Sequence, residues 1–280
     1  MPELPEVETV KEVLKKQLKG LKIIDFKLYH EAMLKTGDVE TFKHKILNQT
    51  VVDIKRRGKY LIFELNDYYL LSHLRMEGKF FYVDGTAPDE NIRMKHVHAN
   101  FEFSNGSCLF YEDVRKFGTF HLYERDVNLE ETPPFTVLGV EPFTDDFTSD
   151  YLLGKFQKKT MPIKSLLLSQ SVVCGLGNIY VDEVLFMSGI HPMTQSQDVT
   201  VEQIQNIVKY TNEILQRAIT LKGTTIKTFT SQHGMAGEYQ NELKVHTKVG
   251  EECPQCKMTI EKIKVGGRGT YFCPTCQTEK

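Results

Sequence analysis

The spacing of apolar residues divides the chain into stretches of different secondary structure. Over residues 3–19, Val7, Val10, Leu14 and Leu18 recur at helical spacing, and Gly20 stands at the expected stop. Pro5 is compatible with this helix because it lies in the first turn, where no intrahelical hydrogen bond is lost. Residues 21–125 change to short runs rich in β-branched and aromatic side chains: LKIIDFKLYH, TVVDIKRR, YLIFELN, YYLLSHL, KFFYVDG, HANFEFSNG, SCLFYED and GTFHLYER. Turn pairs such as Asp84-Gly85 and Asn105-Gly106 separate them. Many short strands with tight turns predict an antiparallel sandwich or barrel. The acidic stretch 126–148, which carries Pro133, Pro134 and Pro142, breaks this pattern and reads as a linker.

Helical spacing returns near residue 149. Thr148 or Ser149 is placed to cap a short helix ending near Phe156, and further helices are expected over 163–174 and 178–188, the last stopped by Gly189. The clearest helix spans 201–222. Thr200 and Gln203 fit a capping box, Val201, Ile204, Ile207, Val208, Ile214, Leu215, Ala218 and Ile219 form the apolar stripe, and Gly223 follows the end. Residues 224–243 are polar and glycine-rich, as a loop would be, and 244–280 form a cysteine-bearing β module. The expected fold class is therefore α+β: an N-terminal helix plus antiparallel β-sandwich over 2–125, the linker 126–148, a helical region over 149–243 and a terminal hairpin over 244–280.

Composition narrows the class without naming it. A chain of 280 residues holds about two domains at roughly 150 residues each. With 40% hydrophobic and 26% charged residues it has apolar material for real cores, which excludes disorder, collagen and coiled coil. No apolar run approaches the roughly 18–20 residues of a membrane helix. MPELPEVETV lacks the basic and apolar regions of a secretory signal, so no membrane association and a cytoplasmic location are expected. The net charge of −2 conceals an uneven distribution: residues 124–150 hold eight acids and one base, whereas KFQKKTMPIK at 155–164 holds four lysines and no acid. Such segments are either ordinary solvated surface or a face for a polyanion.

Three features carry chemistry. The strongest is the pair of knuckles Cys253-x2-Cys256 and Cys273-x2-Cys276, separated by 16 residues. This is the spacing of a four-thiolate Zn²⁺ site. Four soft ligands leave no position for water, so the metal would be structural; a disulfide or redox pair is the alternative. The intervening KMTIEKIKVGGRGTYF alternates and reads as a β-hairpin with Arg268 near its glycine-rich turn, either a solvated arginine or a phosphate contact. The second feature is GLGNIY at 175–180, where glycines open a helix so that backbone N–H groups and Asn178 can meet an anion. The third is Pro2. A small residue here permits removal of Met1, which would expose a secondary amine. An α-amine titrates at roughly 7.7–8.0, so part of it is unprotonated and nucleophilic near neutrality. Glu3 and Glu6 beside it are candidate acids, although most chains that begin Met-Pro use neither residue in this way.

Taken in order, MPELPEVETV, RRGKYL at 56–61, HLRMEGKF at 73–80, EDVRKFG at 112–118, GLGNIY and GRGTYFCPTCQ at 267–277 resemble the bacterial formamidopyrimidine-DNA glycosylases, the 8-oxoguanine repair enzymes. The resemblance runs from residue 2 to 277. It implies a helix–two-turn–helix DNA-binding region, a zinc-finger hairpin, a monomer, and a partner that is double-stranded DNA containing oxidised purines or abasic sites. It implies Pro2 as the nucleophile, Glu3 as the acid that opens the sugar, Lys59 for proton transfer in β-elimination, and Arg268 for δ-elimination. Met76, Arg115 and Phe117 match residues that fill the gap left by a flipped base. His96, Lys159 and Asn178 match DNA-backbone contacts, and 224–240 matches a segment that closes on the flipped base. Many relatives read Asp-Pro-Arg-Arg-Phe-Gly where this chain reads Asp113-Val114-Arg115-Lys116-Phe117-Gly118; the wedge residues survive the change. Two other readings remain: a catalytically silent protein that senses lesions, and a zinc ribbon that recruits a protein partner.

Overall fold

The computed structural model describes residues 1–85, 90–224 and 237–278. The described chain divides into two compact units, one comprising 1–132 with 224–237 and the other 133–223 with 238–280.

In the first unit, helix α1 (Leu4–Leu18) precedes two four-stranded antiparallel sheets. Strands β1 (Ile23–Leu28), β6 (Val97–Phe103), β7 (Cys108–Glu112) and β5 (Lys79–Val83) pair in that order. Strands β2 (Val51–Arg57), β3 (Tyr60–Leu65), β4 (Tyr68–His73) and β8 (Thr119–Glu124) form the other sheet. Phe26, Phe101, Phe103 and Tyr111 of one sheet share a buried core with Ile54, Phe63, Leu70 and Phe120 of the other, and Val7, Leu14 and Leu18 of α1 join it. Each such side chain contributes about 1.5–3 kcal/mol when fully buried. The eight runs expected as strands are strands. The stretch also contains helix α2 (Val39–Ile46), which the strand reading passed over; Asp38 caps it by accepting the Thr41 N–H at 2.9 Å, and Phe42 and Ile46 bury its inner face.

In the second unit lie α3 (Ser149–Phe156), α4 (Ile163–Leu168), α5 (Asn178–Met187) and α6 (Val201–Thr220), followed by the hairpin of β9 (Glu261–Val265) and β10 (Arg268–Phe272). The expected capping box holds α6: the Gln203 N–H donates to Thr200 Oγ1 at 3.3 Å, and the Thr200 N–H donates to Gln203 Oε1 at 3.1 Å. The helix expected over 163–174 stops at Leu168. Gln170 is left-handed at φ 64°, and its side chain accepts the Gly175 N–H and donates to the Leu176 carbonyl, which fixes a loop instead. The hairpin turn falls on Gly266 and Gly267, with φ of 54° and 79°, the positive values that a two-residue turn between twisted strands requires.

Candidate functional site

The N-terminus of the first unit is buried among charged groups. Pro2 is buried and Glu3 is 2% exposed at the start of α1. Glu6 Oε2 accepts the Glu3 N–H at 2.9 Å, while Oε1 accepts the N–H and hydroxyl of Thr224 at 2.8 and 3.1 Å. Glu6 thus holds the peptide that follows Pro2, a role that its place beside Glu3 in sequence did not disclose. Lys59 is 5% exposed in the turn between β2 and β3, after Gly58 at φ 56°. Burial lowers the pKa of the Met1 α-amine; Glu3 and Glu6 oppose this, Lys59 adds to it, and Glu77 opposes it. The α-amine, both N-terminal carboxylates, Lys59 and Glu77 therefore share one electrostatic neighbourhood.

Two loops of the first unit carry the expected wedges. Met76 is half-buried after β4. Arg115 and Phe117 project from the loop between β7 and β8, where Phe117 is 51% exposed and the Arg115 guanidinium lies 4.7 Å from its ring centre. Asp113 braces this loop from inside, accepting the Arg115 N–H at 3.0 Å and the Gly118 N–H at 2.8 Å. His96 is half-buried, and its carbonyl accepts the Asp113 N–H at 2.9 Å. A phenyl ring 51% exposed on a braced loop is not a core residue, although phenylalanine by its hydrophobicity is more often one.

His73 underlies the Met76 loop and accepts the Arg75 N–H at Nδ1, 2.9 Å away. Burial, and then the positive charges of Arg75 and Lys59, push its pKa down to about 3 from 6.5. The unfolded chain therefore binds this proton more tightly than the folded one. Stability should fall as pH drops through 6.5 toward 3, by up to about 1.4 kcal/mol per pH unit from this group. Urea denaturation at pH 7, 6, 5 and 4.5 should show a shallower acid limb in His73→Asn than in the parent; parallel limbs would refute the assignment.

In the second unit, α5 begins at Asn178, and its Nδ2 donates to the Gly269 carbonyl at 2.9 Å, next to the exposed Arg268 at the start of β10. GLGNIY and the hairpin are thus joined. Lys159 is exposed in the turn after α3. Lys164, counted by sequence with the basic surface run, is 0% exposed: its Nζ donates to Asp182 at 2.6 Å, to Thr270 Oγ1 at 2.8 Å and to the Gly269 carbonyl at 3.3 Å. Asp182 also meets His246 Nδ1 at 2.7 Å, and Glu183 accepts the backbone N–H groups of Lys244, Val245 and His246. One buried lysine and two adjacent acids on α5 therefore anchor the hairpin module. Only the largely apolar setting MPIKSLLL hinted in sequence that Lys164 is internal.

The four hairpin cysteines are free thiols whose sulfur atoms lie within 4.8 Å of one another. Sγ–Sγ separations are 3.8 Å for Cys253–Cys276 and 3.3 Å for Cys256–Cys273. Tetrahedral Zn–S bonds of about 2.3 Å would set sulfurs about 3.8 Å apart, so the cluster fits one structural Zn²⁺ and not a pair of disulfides. The expected lid over 224–240 falls mostly on 225–236, outside the described residues. No helix among the described residues is long and apolar enough to cross a membrane.

Comparison with known proteins accords with this arrangement. Residues 1–120 match the formamidopyrimidine-DNA glycosylase N-terminal domain, 138–230 the H2TH domain of the same enzymes, and 250–278 the zinc finger found in FPG and IleRS. A formamidopyrimidine-DNA glycosylase of Exiguobacterium sibiricum is 44% identical over 278 residues, 99% of each chain. Crystal structures of Lactococcus lactis FPG, one of a mutant with a Fapy-dG containing DNA and one with an abasic site containing DNA, superpose with TM-scores of 0.91 and 0.90 at 44% identity, covering 99% of this chain and 100% of theirs. Modules of these kinds in this order define a class of DNA glycosylases that act in base-excision repair. The chain belongs to the formamidopyrimidine-DNA glycosylase family.

Proposed function

We propose that the chain excises oxidised purines, 8-oxoguanine and formamidopyrimidines, from duplex DNA and then nicks the strand as an abasic-site lyase. Removal of Met1 uncovers the Pro2 nitrogen. That nitrogen attacks C1′ of the damaged nucleotide, the bond from C1′ to the base breaks, and the base leaves with its electron pair. Glu3 delivers a proton to the ring oxygen, which opens the sugar to an iminium ion on Pro2. Lys59 takes the C2′ proton as the 3′ phosphate departs, and Arg268 assists loss of the 5′ phosphate. Hydrolysis then frees Pro2.

The observation that carries this reading is the shared electrostatic neighbourhood of the N-terminal amine, Glu3 and Lys59. A binder would have no use for a nucleophile, an acid and a lysine buried together. Because the target carbon is out of reach in a stacked duplex, the base must be flipped at a cost of a few kcal/mol. Met76, Arg115 and Phe117 would fill the gap, with Arg115 bonding to the orphaned base. His96, Lys159 and Asn178 would hold the phosphates. The DNA named with the Lactococcus lactis relatives, carrying a Fapy-dG lesion or an abasic site, supports this choice of substrate. The Zn²⁺ is structural, with Cys253, Cys256, Cys273 and Cys276 holding the hairpin that presents Arg268.

Borohydride trapping on a duplex with one 8-oxoguanine opposite cytosine tests the proposal. A covalent adduct mapped to Pro2, on protein that mass spectrometry shows to lack Met1, is the expected result. Tight binding to abasic DNA without an adduct, from protein with a free Pro2, would refute lyase chemistry and leave lesion sensing.

A further inference from the structure

Tyr111 on β7 is fully buried, at 0% exposed. Its ring lies in the sandwich core, 5.0 Å from the Phe80 ring and 5.1 Å, edge-on, from that of Phe120. Its hydroxyl lies against two glycines. A Cβ at Gly78 would stand 2.1 Å from the hydroxyl oxygen, and a Cβ at Gly118 would stand 1.7 Å from it. Two backbones from opposite sheets therefore close on one oxygen, and at both places only glycine leaves room for it.

These glycines belong to the two wedge-bearing loops. Gly78 follows Met76 by two positions, and Gly118 directly follows Phe117. Each opens a Gly-x-Phe step, Gly78-Lys79-Phe80 and Gly118-Thr119-Phe120, whose phenylalanine returns to the same tyrosine ring. Each loop is also closed on itself, the Gly78 N–H on the Leu74 carbonyl at 2.9 Å and the Gly118 N–H on Asp113 at 2.8 Å. Among the described residues the Tyr111 hydroxyl has no hydrogen-bond partner. A buried hydroxyl left unpaired is unfavourable, and phenylalanine would avoid that penalty. The oxygen therefore acts through its volume, as a spacer between the loops.

We infer that Tyr111 is a positioning residue: it couples the loop of Met76 to the loop of Arg115 and Phe117, so that the wedges enter the DNA stack as one rigid unit. The inference rests on the wedge roles proposed above. It deepens them by naming the residue that sets the distance between the two loops. Its effect belongs to opening a stacked base and not to the bond-breaking steps.

Tyr111→Phe and Tyr111→Leu provide the test, with amide hydrogen exchange at Gly78 and Gly118 read in the DNA-free protein. Exchange should accelerate at both glycines together in both variants. Single-turnover excision of 8-oxoguanine from duplex should slow by about tenfold, while nicking of an abasic site in single-stranded DNA, which needs no base opening, stays near the parent rate; Tm stays near the parent value in Tyr111→Phe, which keeps the buried ring, and falls in Tyr111→Leu. Faster exchange at one glycine alone, or at neither, would overturn the coupling whatever the DNA results. Equal losses on duplex and single-stranded substrates would overturn it as well, because they indicate general loosening. If Met76→Ala and Phe117→Ala both excise from duplex at the parent rate, the wedge reading fails, and the function given to Tyr111 fails with it. A parent protein that excises nothing counts against the proposed reaction, and the exchange measurement still decides the coupling.

Discussion

Replacing Pro2 by glycine is expected to lower excision and nicking by at least about a hundredfold while changing duplex affinity by less than about threefold. The pyrrolidine ring offers a secondary amine whose lone pair is fixed relative to Cα, and one that forms an iminium ion without losing a further proton. Glycine offers a primary amine on the least constrained backbone available. The site around it is otherwise unchanged: Glu3 and Lys59 stay buried, and Glu6 still grips the Glu3 N–H. Burial already holds the Met1 α-amine below its ordinary value of 8.0. Borohydride trapping should give an adduct in the parent and none in Pro2→Gly. Protein that retains Met1 should behave like the variant, since its Pro2 nitrogen is an amide. A Pro2→Gly protein that traps at the parent rate would move the nucleophile elsewhere.

Loss of the metal should have the opposite profile, weakening binding together with catalysis. Structural Zn²⁺ sites in small modules hold about 10–16 kcal/mol of apparent binding free energy, as much as a whole domain's stability of about 5–15 kcal/mol. Among the described residues the apolar cluster around the four cysteines is small, with Phe186, Val245, Cys253, Ile260 and Cys273 as its buried members. Cys273→Ser, or a strong chelator applied to the parent, should abolish stoichiometric zinc, raise hydrogen exchange across β9 and β10, and reduce affinity for lesion-bearing duplex by at least about tenfold. Arg268 begins β10, and the Asn178 side chain bonds to the next carbonyl along, so both would lose their placement together. Equal binding losses in Pro2→Gly and Cys273→Ser would contradict the division between a chemical and a holding role.

The sequence by itself determined most element types and the metal ligands, and it named the residues proposed to react. Those properties are local. A period of two or of 3.6 follows from backbone geometry, a CxxC knuckle puts two thiolates on one turn, and a proline at position 2 becomes a secondary amine in any fold once Met1 is removed. Where a local signal was weak the reading failed: α2 lay hidden among strands, and Gln170 ended α4 by a side-chain to backbone network that no period encodes. Tertiary structure alone decided which charged and polar groups are internal. Lys164 is buried because Asp182 and Thr270 reach it from α5 and β10, more than a dozen and more than a hundred residues away along the chain. Glu6 became a clamp because Thr224 meets it. Tyr111 became a spacer because Gly78 and Gly118 close on it from two sheets. Burial and partnership depend on which distant segments share a volume, and a one-dimensional pattern specifies that only after the chain has packed.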